Sequence, residues 1–204
     1  RTFYRKYAFG ADGEKLAEHK GGFSTFRVDL TEHLKDCNEL AVAVSNARSG
    51  EVYPQQADFT FYGGLYRNVS LIAVPETHFA LSYHGGPGLK VTPVVDLSAR
   101  SAAVTAEAWV EGPQAGREQV TFSLAGQTQT VPAADGYAKA VFAIENVHLW
   151  DGLDDPYLYT ATASLQSGDS VSARFGCRRF EIDPQKGFLL NGRSYPLRGV
   201  SRHQ

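Results

Sequence analysis

The residues best suited to chemistry stand at the far end of the chain. Ser201, Arg202, His203 and Gln204 follow an apolar stretch, residues 195–200, that also holds Arg198 and Gly199. Polar side chains bunched just past a buried strand suggest a site at that strand's carboxyl end. Elsewhere the chemistry is sparse. The 22 acidic residues show no pairing at a spacing useful for acid–base work. Asn38-Glu39 runs directly into Leu40-Ala41-Val42 and reads as a turn before a strand. The two cysteines, Cys37 and Cys177, lie far apart, and neither sits in a C-x-x-C or Cys/His cluster that could hold zinc. They read as two free, buried thiols. Asn68-Val69-Ser70 fits a glycosylation sequon but falls inside an expected strand, which argues against its use.

The elements that must position the terminal polar group are β-strands. Asn191-Gly192 separates two apolar runs, and Asn-Gly is a strong hairpin-turn signal because both residues accept positive φ. A small hairpin is therefore expected over residues 188–197. Further back, Phe26, Val28 and Leu30 alternate with polar neighbours, as do Leu40, Val42 and Val44, and then Val69, Leu71 and Ala73. Such alternation predicts half-buried strands. Residues 31–35 offer one short helical turn. The chain up to about residue 75 reads as part of a β-sandwich. A second all-β unit follows, with strands expected over 89–95, 102–110, 119–124, 138–144, 157–165 and 171–175. Turn signals fall between them at Gly112-Pro113, Gly126, Asp135-Gly136 and Ser167-Gly168. About seven short strands in about a hundred residues is the pattern of an immunoglobulin-like sandwich. Trp109 and Trp150 read as packing residues, not as ligand platforms.

Composition narrows the partners. The chain has 204 residues and a formal net charge of −2. That is one or two domains, with no electrostatic case for nucleic acid or an anionic membrane surface. No apolar run approaches the roughly 18 residues of a membrane-spanning helix, and no signal-peptide pattern opens the chain. The chain holds no methionine, so Arg1 reads as an internal position of a longer gene. Localisation stays open between cytoplasm, periplasm and secretion.

Several runs carry a family resemblance. Residues 187–204, G-F-L-L-N-G-R-S-Y-P-L-R-G-V-S-R-H-Q, closely resemble the entry into the catalytic barrel of glycoside hydrolase family two. There a Leu-Asn-Gly hairpin precedes R-G-V-(N/S)-R-H-(E/Q). The form found here is similar to the bacterial β-galactosidase branch more than to the β-glucuronidase branch. Residues 13–30 resemble the family's sugar-binding jelly roll (V-N-G-x-x-x-x-x-H-x-G-G-(Y/F)-x-x-F-x-x-D-(L/I)-T). Residues 58–71, D-F-T-F-Y-G-G-L-Y-R-N-V-S-L, resemble the (S/G)-G-(I/L)-(Y/F)-R-x-V-x-L signature that closes it. Residues 145–158 match the Asn-x-x-Leu-Trp…Pro-x-Leu-Tyr run late in the middle sandwich. Together, in this order, the matches are far more specific than any one of them. One departure stands out: residues 8–12 do not resemble the strand the family places before Gly13, so the first half of the jelly roll is expected to be shortened or absent.

The resemblance implies an all-β chain in three parts: a partial sugar-binding jelly roll over 1–75, an immunoglobulin-like sandwich over 76–177, and over 178–204 the first hairpin and strand of a (β/α)8 barrel. It implies a parent enzyme, a retaining hydrolase of terminal β-D-galactosides, with both catalytic glutamates beyond Gln204. The chain alone is then expected to be inactive. Asp58 matches the family aspartate that reaches into the active site, holds galactosyl hydroxyls and ligates sodium. His203 and Arg202 match residues beside the sugar, and Arg198 and Arg67 match structural arginines. No cofactor is expected in the chain itself. For the full-length enzyme the resemblance points to Na⁺ and Mg²⁺ as metals and allows a homo-oligomer; its partners are β-galactosides, not nucleic acid or membrane. The readings that compete are a β-glucuronidase parent, an independent carbohydrate-binding module, and a purely structural pair of sandwiches.

Overall fold

A computed structural model describes residues 6–11, 13–21, 24–47, 63–65 and 67–201. The chain divides into two compact units, residues 1–72 with 200–204, and residues 73–199.

In the first unit, β1 (Lys6–Ala11), β2 (Glu14–Lys20) and β3 (Leu40–Ser45) form an antiparallel sheet in the order β2-β1-β3. Residues 8–11, which lack the expected family wording, are nevertheless strand and pair on both sides. The helical turn is a short 3-10 segment, Thr31–His33. Asp29 seeds it, its carboxylate accepting hydrogen bonds from the Thr31 backbone N–H at 2.9 Å and the Thr31 hydroxyl at 2.7 Å. Asn38 closes the following loop: its amide donates to the His33 carbonyl at 2.9 Å and accepts from the Lys35 N–H at 2.9 Å.

Two expected strands do not form. Phe26, Val28 and Leu30 are alternately half-buried but belong to no ladder; Phe26 instead stacks on His19 of β2, ring centroids 4.5 Å apart. Residues 69–73 are also outside any strand, with Val69 and Leu71 exposed. Alternation of side-chain direction is a property of any extended segment; a sheet needs a partner for its N–H and C=O groups as well. The strand-based argument against the sequon at Asn68 falls with it.

The second unit is a β-sandwich. Its strands are β4 (His78–Phe79), β5 (Leu89–Asp96), β6 (Ser101–Glu111), β7 (Gln119–Leu124), β8 (Gln127–Pro132), β9 (Tyr137–Glu145), β10 (Tyr159–Leu165) and β11 (Ser170–Phe175). One sheet runs β5-β6-β9, with β4 paired to the end of β6; the other runs β11-β10-β7-β8. Period-two patterning fills the space between them. Ala102, Val104, Ala106, Ala108 and Val110 of β6 point inward, as do Ala138, Ala140, Phe142 and Ile144 of β9. They meet Val120, Phe122 and Leu124 of β7 and Ala161, Ala163 and Leu165 of β10 in one core.

Strand β8 was not expected, because Gln-Thr-Gln-Thr-Val-Pro has no apolar alternation. It is a sheet edge with little to bury. Its glutamines reach across to the other sheet, the Gln127 and Gln129 amides donating to the Ala143 and Val141 carbonyls of β9 at 2.7 Å each. Backbone acceptors along the β9 edge are thereby occupied, which blunts it against pairing with another chain.

Three short strands complete the unit: β12 (Phe180–Asp183), β13 (Gly187–Leu190) and β14 (Arg193–Ser194), in the order β12-β13-β14. The expected hairpin is thus present, and its turn residues Asn191 and Gly192 both have positive φ, 51° and 77°. The strand expected beyond it is not. Residues 195–201 carry no strand, and Leu197 and Val200 are 71% and 93% exposed. An apolar strand of barrel type needs neighbours on both sides, and residues 195–201 join no sheet.

The cysteines also differ from expectation. Both are free, but Cys37 is exposed, and only Cys177 is buried. Burial pushes the Cys177 thiol up to about 11, because the thiolate is disfavoured away from water. A pulse of iodoacetamide on the native chain is expected to modify Cys37 alone, with Cys177 reacting only after denaturant unfolds the sandwich; mass spectrometry of peptides reads the two sites separately. The same burial stabilises the fold fully below the unfolded thiol value near 9 and ceases to do so as pH rises through about 11. Equal native labelling of both thiols would contradict the closed core.

Candidate functional site

The three residues that the resemblance assigns to the sugar, Asp58, Arg202 and His203, lie outside the described residues. What is described is the platform from which the terminal run departs. Ser201 is exposed and outside any strand. Arg198 is exposed. Arg67 is exposed. Among the described residues no group of three or more His, Cys, Asp or Glu side chains could hold a metal ion.

The platform is the junction between the end of the sandwich and the β13-β14 hairpin. It is built from the segment after β9. Leu149 bridges to Cys177 in parallel pairing, and the Trp150 N–H donates to the Cys177 carbonyl at 2.8 Å. This pairing brings Trp150 against Gly176, where a Cβ would lie 2.7 Å from the Trp150 Cβ. Glycine is therefore the residue that permits the approach. The Arg178 guanidinium covers the indole at 4.8 Å from its ring centroid, a cation–π contact. Trp150 is a packing residue, as is Trp109, which stacks on Tyr83 with centroids 3.9 Å apart.

Next, Asp151 turns back through a 2.7 Å backbone hydrogen bond to the Asp155 carbonyl. Its carboxylate faces the hairpin. One oxygen accepts from the Asn191 amide at 3.2 Å, and the other pairs with the Arg193 guanidinium. The Asn191 amide also donates to the Trp150 carbonyl at 3.1 Å and accepts from the Arg179 N–H at 3.0 Å. The Asn191 N–H donates to the Arg179 carbonyl at 2.7 Å. Gly152, at φ 71°, leaves space that Tyr195 occupies; a Cβ there would lie 2.5 Å from the Tyr195 hydroxyl.

Beside the junction, His148 stacks face to face on Tyr157 at 3.9 Å and pairs with Asp155 at 2.7 Å. Its backbone N–H donates to the Tyr159 hydroxyl at 2.8 Å, and burial pushes the Tyr159 phenol up. The 145–158 run, read from sequence as wording shared with a family, is thus the seat of the hairpin. Sequence reasoning found Asn191 as a turn residue and missed its side-chain role. Its partners Trp150 and Asp151 are about 40 positions away, and no local pattern announces them.

Residues 88–178, which span most of the sandwich, match the family model Glycosyl hydrolases family 2. Over 207 residues the chain is 33% identical to a β-glucuronidase of Bacteroides fragilis, covering 93% of this chain and 30% of that protein. It is 30% identical over 211 residues to a β-galactosidase of Thermoanaerobacterium thermosulfurigenes, covering 95% of this chain and 28% of that one. The solved structure of Bacteroides uniformis β-glucuronidase 2, covalently bound to cyclophellitol-6-carboxylate aziridine, superposes on all of this chain with a TM-score of 0.78 at 29% identity, using 26% of its own length. The chain therefore spans about 30% of the length of these relatives, and their names divide between two sugars. Matched by the family model across residues 88–178 and aligned with such relatives over more than nine-tenths of its length, the chain belongs to glycosyl hydrolase family 2.

Proposed function

We propose that the chain is the non-catalytic β-sandwich portion of a retaining exo-glycosidase that releases terminal β-D-galactose. The observation that carries this reading is the run 187–204: an Asn-Gly hairpin anchored on the sandwich, followed at once by R-G-V-S-R-H-Q. The order β5-β6-β9 facing β11-β10-β7-β8 supports an immunoglobulin-like middle domain. Residues 1–75 are taken as a partial jelly roll. Retention requires a nucleophile and an acid/base carboxyl about 5 Å apart, which this reading assigns to a barrel beyond residue 204. Asp58 contributes a carboxylate that accepts from vicinal hydroxyls and suits sodium as a hard oxygen ligand. Arg202 and His203 hydrogen-bond the same sugar. A β-glucuronidase parent is the second reading, favoured by the 33% identity to the Bacteroides fragilis β-glucuronidase.

The test pairs the full-length parent with the 204-residue chain on p-nitrophenyl β-D-galactoside and β-D-glucuronide. The parent is expected to hydrolyse the galactoside with retention of configuration, and the chain alone to hydrolyse neither. A parent that prefers the glucuronide moves the assignment to the second reading. Turnover by the purified chain alone would overturn the division of labour.

A further inference from the structure

We infer that Asn191 is a deamidation site that the junction of hairpin and sandwich holds closed, so that its conversion records opening of the hairpin. The chain has five asparagines, and only Asn191 precedes a glycine. That neighbour matters to the chemistry. The Gly192 backbone nitrogen loses its proton and attacks the Asn191 Cγ. The bond from Cγ to Nδ2 breaks, and the side-chain nitrogen departs as ammonia, taking up the equivalent of that proton. A five-membered succinimide remains, and water opens it to aspartate or isoaspartate. Glycine offers its nitrogen with no Cβ beside it and lets the backbone turn freely. Glutamate, alanine and valine follow the other four asparagines. In the unfolded chain Asn191-Gly192 is therefore the labile pair.

The folded chain closes this reaction in two ways. The first is the turn. At φ 51° Asn191 lies in the left-handed region, where ψ is about +30 to +60°. Tetrahedral geometry at Cα then puts the Gly192 nitrogen on the far side of the Cα–C bond from Cβ. Ring closure needs the two eclipsed, so the peptide must swing round before the attack begins. The second is the carboxamide. Its oxygen accepts from the Arg179 N–H, and its nitrogen, the leaving group, donates to the Trp150 carbonyl and to the Asp151 carboxylate. Turning Cγ toward the Gly192 nitrogen forfeits all three bonds. Asp151 is itself fixed by Arg193 through its other oxygen. The reaction therefore waits until the hairpin detaches from residues 150 and 151. Once it has run, a carboxylate stands where the clamp needs a donor. It faces two acceptors, the Trp150 carbonyl and the Asp151 carboxylate, and the hairpin cannot reseat as before.

The test follows residues 187–193, which trypsin releases by cutting after Lys186 and Arg193. The whole chain is aged at mildly alkaline pH, folded or in guanidinium chloride, and mass spectrometry of that peptide reads the fraction deamidated. Conversion in the folded chain is expected to be at least about tenfold slower than in denaturant, because it requires local opening. Asp151→Ala removes one acceptor of the leaving nitrogen and frees Arg193. It is expected to speed conversion of the folded chain by about threefold or more, since a hydrogen bond to a charged group is lost, and to leave the rate in denaturant unchanged. Where labelling of Cys177 shows Asp151→Ala to be unfolded, Arg193→Gln loosens the same carboxylate from its exposed side and carries the same expectation. Equal rates in the folded and unfolded chain, no conversion in denaturant, or a folded variant no faster than the unsubstituted chain each overturns the inference.

Discussion

Phe142→Ala is expected to destabilise the sandwich by about 3–5 kcal/mol, the usual cost of emptying a buried phenylalanine site. Phe142 is 1% exposed on β9, directly opposite Val104 of β6, which is fully buried. Across the core, on the other sheet, Phe122 is equally buried. Removing the ring leaves a void between two sheets that are each held in register by continuous ladders and cannot close over it freely. Single domains are stable by only about 5–15 kcal/mol, so a large share of the total is lost. Urea unfolding of the chain, followed by tryptophan fluorescence and by iodoacetamide labelling of Cys177, measures it. The neighbouring Val141→Ala is the internal comparison. Val141 is 52% exposed on the outward face of the same strand, and its truncation is expected to fall within about 0.5 kcal/mol of the parent chain. A Phe142→Ala variant no weaker than Val141→Ala would mean that the two sheets do not share one core.

The contrast between Phe142 and Val141 shows which parts of this fold are legible in sequence. Strands β6 and β9 announce themselves because one face is apolar at every second residue and packs on the facing sheet. The Asn191-Gly192 turn announces itself because positive φ restricts composition locally. Strand β8 is silent: an edge strand whose glutamines serve as hydrogen-bond donors to the opposite sheet has no apolar period to read. Residues 26–30 and 69–73 mislead in the other direction, since they alternate without pairing. The junction was half legible. Asn191, Trp150 and Gly176 could each be noticed, but hydrogen bonds and close approaches between residues far apart in sequence leave no local signature. The sugar-contacting assignments of Asp58, Arg202 and His203 rest on shared wording.

His203→Ala is expected to lower kcat/KM of the full-length parent by about 30- to 1000-fold, equivalent to about 2–4 kcal/mol of transition-state stabilisation. An imidazole that hydrogen-bonds a sugar hydroxyl accelerates hydrolysis only to the extent that the bond strengthens as the ring distorts toward an oxocarbenium ion. A bond of equal strength in both states would raise KM and leave kcat alone. The expected signature is therefore a fall in kcat with KM little changed, on whichever of the two glycosides the parent accepts. Stability should not follow, because in this reading the histidine faces the substrate and not a core, and thermal unfolding of the variant is expected within about 2 °C of the parent, the shift that roughly 0.5 kcal/mol produces in a domain of this size. His203→Gln serves as the conservative variant: its amide keeps a donor and an acceptor, so partial recovery relative to alanine separates a lost hydrogen bond from a lost shape. Kinetics unchanged in His203→Ala would make the residue a bystander.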